Sequence, residues 1–98
     1  MDKTTVINKM EEVLKSSRKQ LAEKDSSTLA SIGNNIKMNF EKFKLSWDEN
    51  PGAKVLIDQY KDKMSSFNDA LGNGDIATSG MYISDMQKIL DQFKTIRA

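Results

Sequence analysis

Ninety-eight residues leave room for one small domain and none for a second independent core. Hydrophobic residues make up 38% and charged residues 30%, and fifteen Lys/Arg against fourteen Asp/Glu give a net charge of +1. There is no histidine and no cysteine, which excludes thiol nucleophiles, Cys/His zinc sites, disulfide scaffolds, Ser-His-Asp triads and histidine bases.

In chain order, the first helix is expected over about 4–23. Ile7, Met10, Leu14 and Leu21 recur there at steps of three, four and seven, and Val6 and Val13 widen the stripe. A soft break over 23–28 offers Asp25 or Ser26 as a cap. A second helix, about 27–47, carries Leu29, Ile32, Ile36, Phe40, Phe43 and Trp47. The strongest break follows at Asp48-Glu49-Asn50-Pro51-Gly52. Asn50 is a good N-cap, and Pro51 suits the first helical position, where its missing N–H is not needed. The third helix, about 51–71, presents Leu56, Tyr60, Met64, Phe67 and Leu71. Gly72-Asn73-Gly74-Asp75 reads as a glycine C-cap followed by an aspartate N-cap. The fourth helix, about 76–96, carries Ile76, Ile83, Met86, Leu90 and Phe93, flanked by Ile89 and Ile96. No stretch alternates with period two, so the class is all-α.

The outer breaks lie at similar distances from the middle turn. Residues 1–98 therefore form a single helical domain that is either an antiparallel helical hairpin of two long arms or a four-helix up-down bundle. A lone hairpin leaves much of its stripe in water and needs a partner, whereas a bundle closes on itself. Trp47 is expected to pack across the turn against Val55 and Leu56.

The charges are spread evenly, without the concentrated basic face that nucleic-acid binding requires. No apolar run exceeds three residues, the length of Val55-Leu56-Ile57, which is far short of a bilayer span, so no stable membrane insertion is expected. The run from Met1 to Lys9 lacks the apolar segment of a secretory signal. The expectation is a protein that stays in the cytoplasm or is secreted by a signal-peptide-independent route.

Chemistry has little to work with. Asp58 and Asp62 lie four apart on one face, but Lys54, Lys61 and Lys63 surround them and the face reads as solvated. Asp69 to Asp75 has oxygen-bearing residues, yet Gly80 stands where a calcium loop needs its bidentate Glu, so a capped turn is expected. Glu11 and Glu12 precede Lys15 as an ordinary helical ion pair. No catalytic, metal-binding or cofactor-binding residue is predicted, and the protein is expected to be non-enzymatic. The remaining constellation is the aromatic and methionine stripe. It serves as core, and its Leu56, Tyr60, Met64 and Phe67 also form a candidate face for docking a protein partner.

Trp47 closes the first half, an acidic residue follows, and Gly52-Ala53 opens a helix reading Ala53-Lys54-Val55-Leu56-Ile57-Asp58-Gln59-Tyr60. This resembles the small WxG proteins of type VII secretion, which are signal-less helix-turn-helix hairpins with a Trp-x-Gly turn near the midpoint. The resemblance implies a turn motif at Trp47, Pro51 and Gly52. It also implies a C-terminal export signal at Tyr82 and Asp85, here spaced three apart where that family has four. The function implied is a substrate or targeting partner of a larger exported protein, acting as a homodimer or heterodimer through an apolar helical face. Asn50-Pro51 with Gln59 to Asn68 and Ile89 to Phe93 is similar to the second helix of type III secretion needle subunits. The four-helix spacing also resembles bacteriocin immunity proteins, which act inside the cell.

Overall fold

Local chemistry starts and stops each helix. The computed structural model describes residues 3–23, 26–47 and 50–96. It contains α1 (Lys3–Glu23), α2 (Ser26–Leu45), α3 (Pro51–Gly72) and α4 (Ile76–Phe93). Asn50 caps α3: its extended backbone (φ −98°, ψ 109°) lets Oδ1 accept from the Gly52 N–H at 2.9 Å, with Pro51 following. At the other end of α3, the Asp75 N–H donates to the Ala70 carbonyl at 2.9 Å and the Gly74 N–H to Leu71 at 3.0 Å. This pair of bonds is a Schellman motif, and it holds Gly74 at φ 74°, a conformation that favours glycine. Asp75 then caps α4, accepting from the Thr78 N–H at 3.1 Å and the Thr78 hydroxyl at 2.7 Å. The predicted capped turn is present. The candidate cap Asp25 lies outside the described residues, as do Asp48 and Glu49 of the middle break.

Two helices end earlier than periodicity suggests. α2 stops at Leu45 and not at 47, because Ser46, Trp47 and Asn50 each donate three residues back, to Phe43, Lys44 and Trp47, in a tight turn. α4 stops at Phe93 and not at 96, where Thr95 and Ile96 tighten the chain in the same way.

Each helix packs on the next, and α4 returns to α1, while among the described residues the backbones of the diagonal pairs stay apart and meet only through core side chains. Short connections make neighbours antiparallel, so the topology is an up-down four-helix bundle. The molecule measures 39 × 21 × 18 Å. An arm of about forty residues would run to about 60 Å, so of the two predicted architectures the long hairpin is the one not adopted. Closing α4 on α1 buries all four apolar stripes within a single chain.

The core is unequal along its length. At the end holding the α2–α3 connection, Phe40 stacks on Tyr60 with ring centroids 4.7 Å apart and planes 5° from parallel. Phe93 of α4 meets Phe43 at 4.9 Å and Trp47 at 5.0 Å, both edge-on. Val6, Ile7 and Met10 of α1 belong to the same buried cluster. The opposite end is thinner, with Leu29, Leu71 and Ile76 only partly buried. Trp47 is buried as expected, but its neighbours differ from the expectation. It sits against Phe43 and Phe93, and Val55 is 61% exposed, because the register of α3 turns Val55 outward while Leu56 faces in.

Replacing Trp47 by Ala is expected to remove about 3–5 kcal/mol of stability, read as a collapse of the urea midpoint followed by circular dichroism. Gly80→Ala is expected to do the opposite. A Cβ at that helical position meets nothing within 4 Å, and alanine gains about 0.5–1 kcal/mol over glycine in a helix interior.

Candidate functional site

The turn residues of the predicted motif are structural neighbours of the aromatic cluster. Trp47 is buried, while Pro51 and Gly52 lie exposed at the start of α3. Trp47, Pro51 and Ile57 line a shallow cleft between α2 and α3 whose rim carries Lys44, Lys54 and Lys61. Asp58 shares that rim.

The candidate docking face points inward. Leu56, Tyr60, Met64 and Phe67 are all buried in the core cluster. Their i, i+4, i+8 and i+11 spacing is the seam along which α3 meets its neighbours. In the closed bundle these side chains are covered by the chain's own helices, so a partner reaches them only if the bundle opens.

Tyr82 and Asp85 come together on α4 around one lysine. Lys63 of α3 pairs with the Asp85 carboxylate at 3.8 Å and lies 5.9 Å from the centre of the Tyr82 ring. Both residues are half-buried. The pair thus lies on the exposed edge of the α3–α4 contact, where such an ion pair adds little stability.

The polar contacts do structural work. Glu11 does not pair with Lys15 as expected. It accepts from Lys94 Nζ at 3.0 Å and Gln87 Nε2 at 2.9 Å, tying α1 to α4. Arg18 adds a bond to the Ser84 hydroxyl at 2.6 Å. The hydrogen bond from Lys94 to Glu11 raises the lysine pKa, and the hydrogen bonds from Thr78 lower that of Asp75. Asp58 and Asp62 are exposed, and among the described residues no group of three acidic, histidine or cysteine side chains converges as a metal site would require. Among the described residues the groups with shifted pKa values are Lys94 in a seam, Asp75 in a cap and Tyr60 in the core.

Tyr60 is the exception to good pairing. Its hydroxyl is fully buried and has no hydrogen-bond partner among the described residues. Burial pushes its phenol pKa up.

Sequence periodicity passed over the outward side of α2. Met38 and Leu45 are 64% and 70% exposed. Their spacing of seven, displaced from the core stripe, was the available signal. Among the described residues no helix is long and apolar enough to cross a membrane. Comparison with protein-family profiles, curated proteins and solved structures finds no match for the chain.

Tyr60→Phe is expected to fold normally and to raise stability by about 1 kcal/mol, because an unpaired buried hydroxyl is removed. The same variant checks the alkaline limb. Tyrosine ionises near pH 10 when unfolded, and its folded pKa lies higher. The unfolded state therefore releases the proton first, and this contribution to stability is intact below about pH 10 and lost as pH rises above it. Urea midpoints at pH 8 and pH 11 are expected to fall further for the wild type than for Tyr60→Phe.

Proposed function

We propose that this chain is a small non-enzymatic helical protein that works by binding another protein while its bundle is closed. The observation that carries this reading is bundle closure, which buries the aromatic and aliphatic stripes within one chain and turns the other helix faces to solvent. Helices that close on themselves leave outer faces for recognition.

Bundle closure weighs among the three resemblances. A self-contained bundle of four helices of 18 to 22 residues favours a role like that of bacteriocin immunity proteins, retained in the cell and acting on a target there. This is an analogy of architecture. A role as a type VII substrate or targeting partner is the second reading. Its support is the Trp47, Pro51 and Gly52 turn, together with the proximity of Tyr82 and Asp85 on α4. A needle role has least support, since the Schellman turn at Gly74 interrupts the long second helix that resemblance calls for.

Fractionating cells that make the protein separates the readings. Retention in the cell, with recovery of a target after crosslinking, is the expected outcome. Accumulation in the medium that is abolished by Tyr82→Ala or Asp85→Ala would transfer the assignment to secretion.

A further inference from the structure

The greater part of α2 is poor in charge: charged residues are 30% of the chain, yet residues 26–40 contain one, Lys37, before Glu41, Lys42 and Lys44 at the helix end, and residues 76–84 around Met81 contain none. The exposed positions over 26–40 include Ser31, Asn34, Asn35 and Met38. Depletion of charge and enrichment of methionine mark the centres of protein interfaces. Four large apolar side chains stand exposed among the described residues, and they are Met38, Leu45, Val55 and Met81. Val55 and Met81 are single residues on separate helices, which is ordinary for a surface. Met38 and Leu45 share a line on α2, seven residues apart, the repeat that keeps one face against a partner helix.

The residues beside that line identify the partner. Glu41 and Lys42 fall between Met38 and Leu45 along the chain, about 50° to either side of the line at 100° per residue. When two copies of α2 lie parallel about a two-fold axis, Met38 meets Met38 and Leu45 meets Leu45. Glu41 of each copy then faces Lys42 of the other, once on each side of the contact. An antiparallel arrangement does worse. Centred on Met38 it sets Leu45 against Ser31, and centred between Glu41 and Lys42 it brings like charges together. We propose that the outer face of α2 is a self-association surface, on which a second copy of this chain docks in parallel through Met38 and Leu45 with reciprocal Glu41–Lys42 pairs.

This deepens the reading of the chain as a protein-binding module and rests on it. The core of each copy stays closed, so Leu56, Tyr60, Met64 and Phe67 take no part. One helix against one helix over two heptads buries less than the roughly 1,200 Å² of a standard interface. The dimer is therefore reversible and concentration-dependent.

The absence of native cysteine makes the test clean. Met38→Cys, Leu45→Cys, Val55→Cys and Met81→Cys all alter exposed positions, and far-UV circular dichroism verifies that each variant folds. Under mild oxidation, the 38 and 45 variants are expected to form disulfide-linked dimers at least about five-fold faster than the 55 and 81 variants, since a disulfide requires Cα atoms within about 7 Å. In sedimentation equilibrium, Glu41→Lys is expected to weaken the dimer at least about five-fold, and Glu41→Lys combined with Lys42→Glu to restore it. Crosslinking at 38 alone, equal crosslinking at all four positions, or a monomer at every concentration each overturns the proposal. A monomer would leave the fractionation experiment above unaffected, so the two failures are distinguishable.

Discussion

The bundle depends on the aromatic contact between Phe40 and Tyr60 and the rings that continue it. Phe40, Phe43 and Trp47 come from one stripe on α2 and its terminal turn, Tyr60 from α3 and Phe93 from the last turn of α4. This cluster fixes how α3 leaves the turn and where α4 comes to rest. Each favourable ring pair adds about 0.5–1.5 kcal/mol beyond the area it buries, and five rings in one place make that end of a small domain its most secure part. The Asn50 cap and Pro51 set the direction of α3 so that Tyr60 arrives opposite Phe40. The tight turn of Ser46 and Trp47 brings the indole back over Phe43 and Phe93.

The same cluster contains the main internal conflict. Tyr60 contributes its ring fully, and its hydroxyl is carried into the core with no partner among the described residues. A phenylalanine would fill nearly the same space without that penalty. The stack on Phe40 needs only the ring, and the raised phenol pKa reflects the same removal of the hydroxyl from water. Elsewhere polar groups are placed to advantage. Ser17 and Ser79, both buried, return their hydroxyls to the carbonyls of Val13 and Asp75 one turn back. The seam between α1 and α4 is joined by Glu11, Gln87, Lys94, Arg18 and Ser84.

Closure of the bundle redirects the search for a binding surface. An apolar stripe such as Leu56, Tyr60, Met64 and Phe67 has the same sequence pattern whether it faces its own chain or another. Once α2 and α4 cover it, recognition passes to residues outside the stripes. Met38 and Leu45 stand out there as large apolar side chains left exposed on one line of α2, Met38 among amide and hydroxyl side chains and Leu45 beside Glu41 and Lys42. Tyr82 and Asp85 show the same shift, since both lie beside Lys63 of α3 in the folded chain.

Residue identity alone determined the helical class, the four segments and the chemistry of their ends. Asn50 before Pro51, and Gly74 before Asp75, act through bonds two to five residues long, so no distant part of the chain is needed to interpret them. The buried stripes followed from 3.6-residue periodicity for the same local reason. What only the tertiary structure decided was which stripe faces which. The choice of bundle over hairpin, the contact of Trp47 with Phe93 in place of Val55, the pairing of Glu11 with Lys94 and the isolation of the Tyr60 hydroxyl all join residues far apart in the chain. Local periodicity states that a side chain is apolar and turned inward. Its neighbour is set by the register and rotation of another helix, and those are fixed only when all four stripes close around one core.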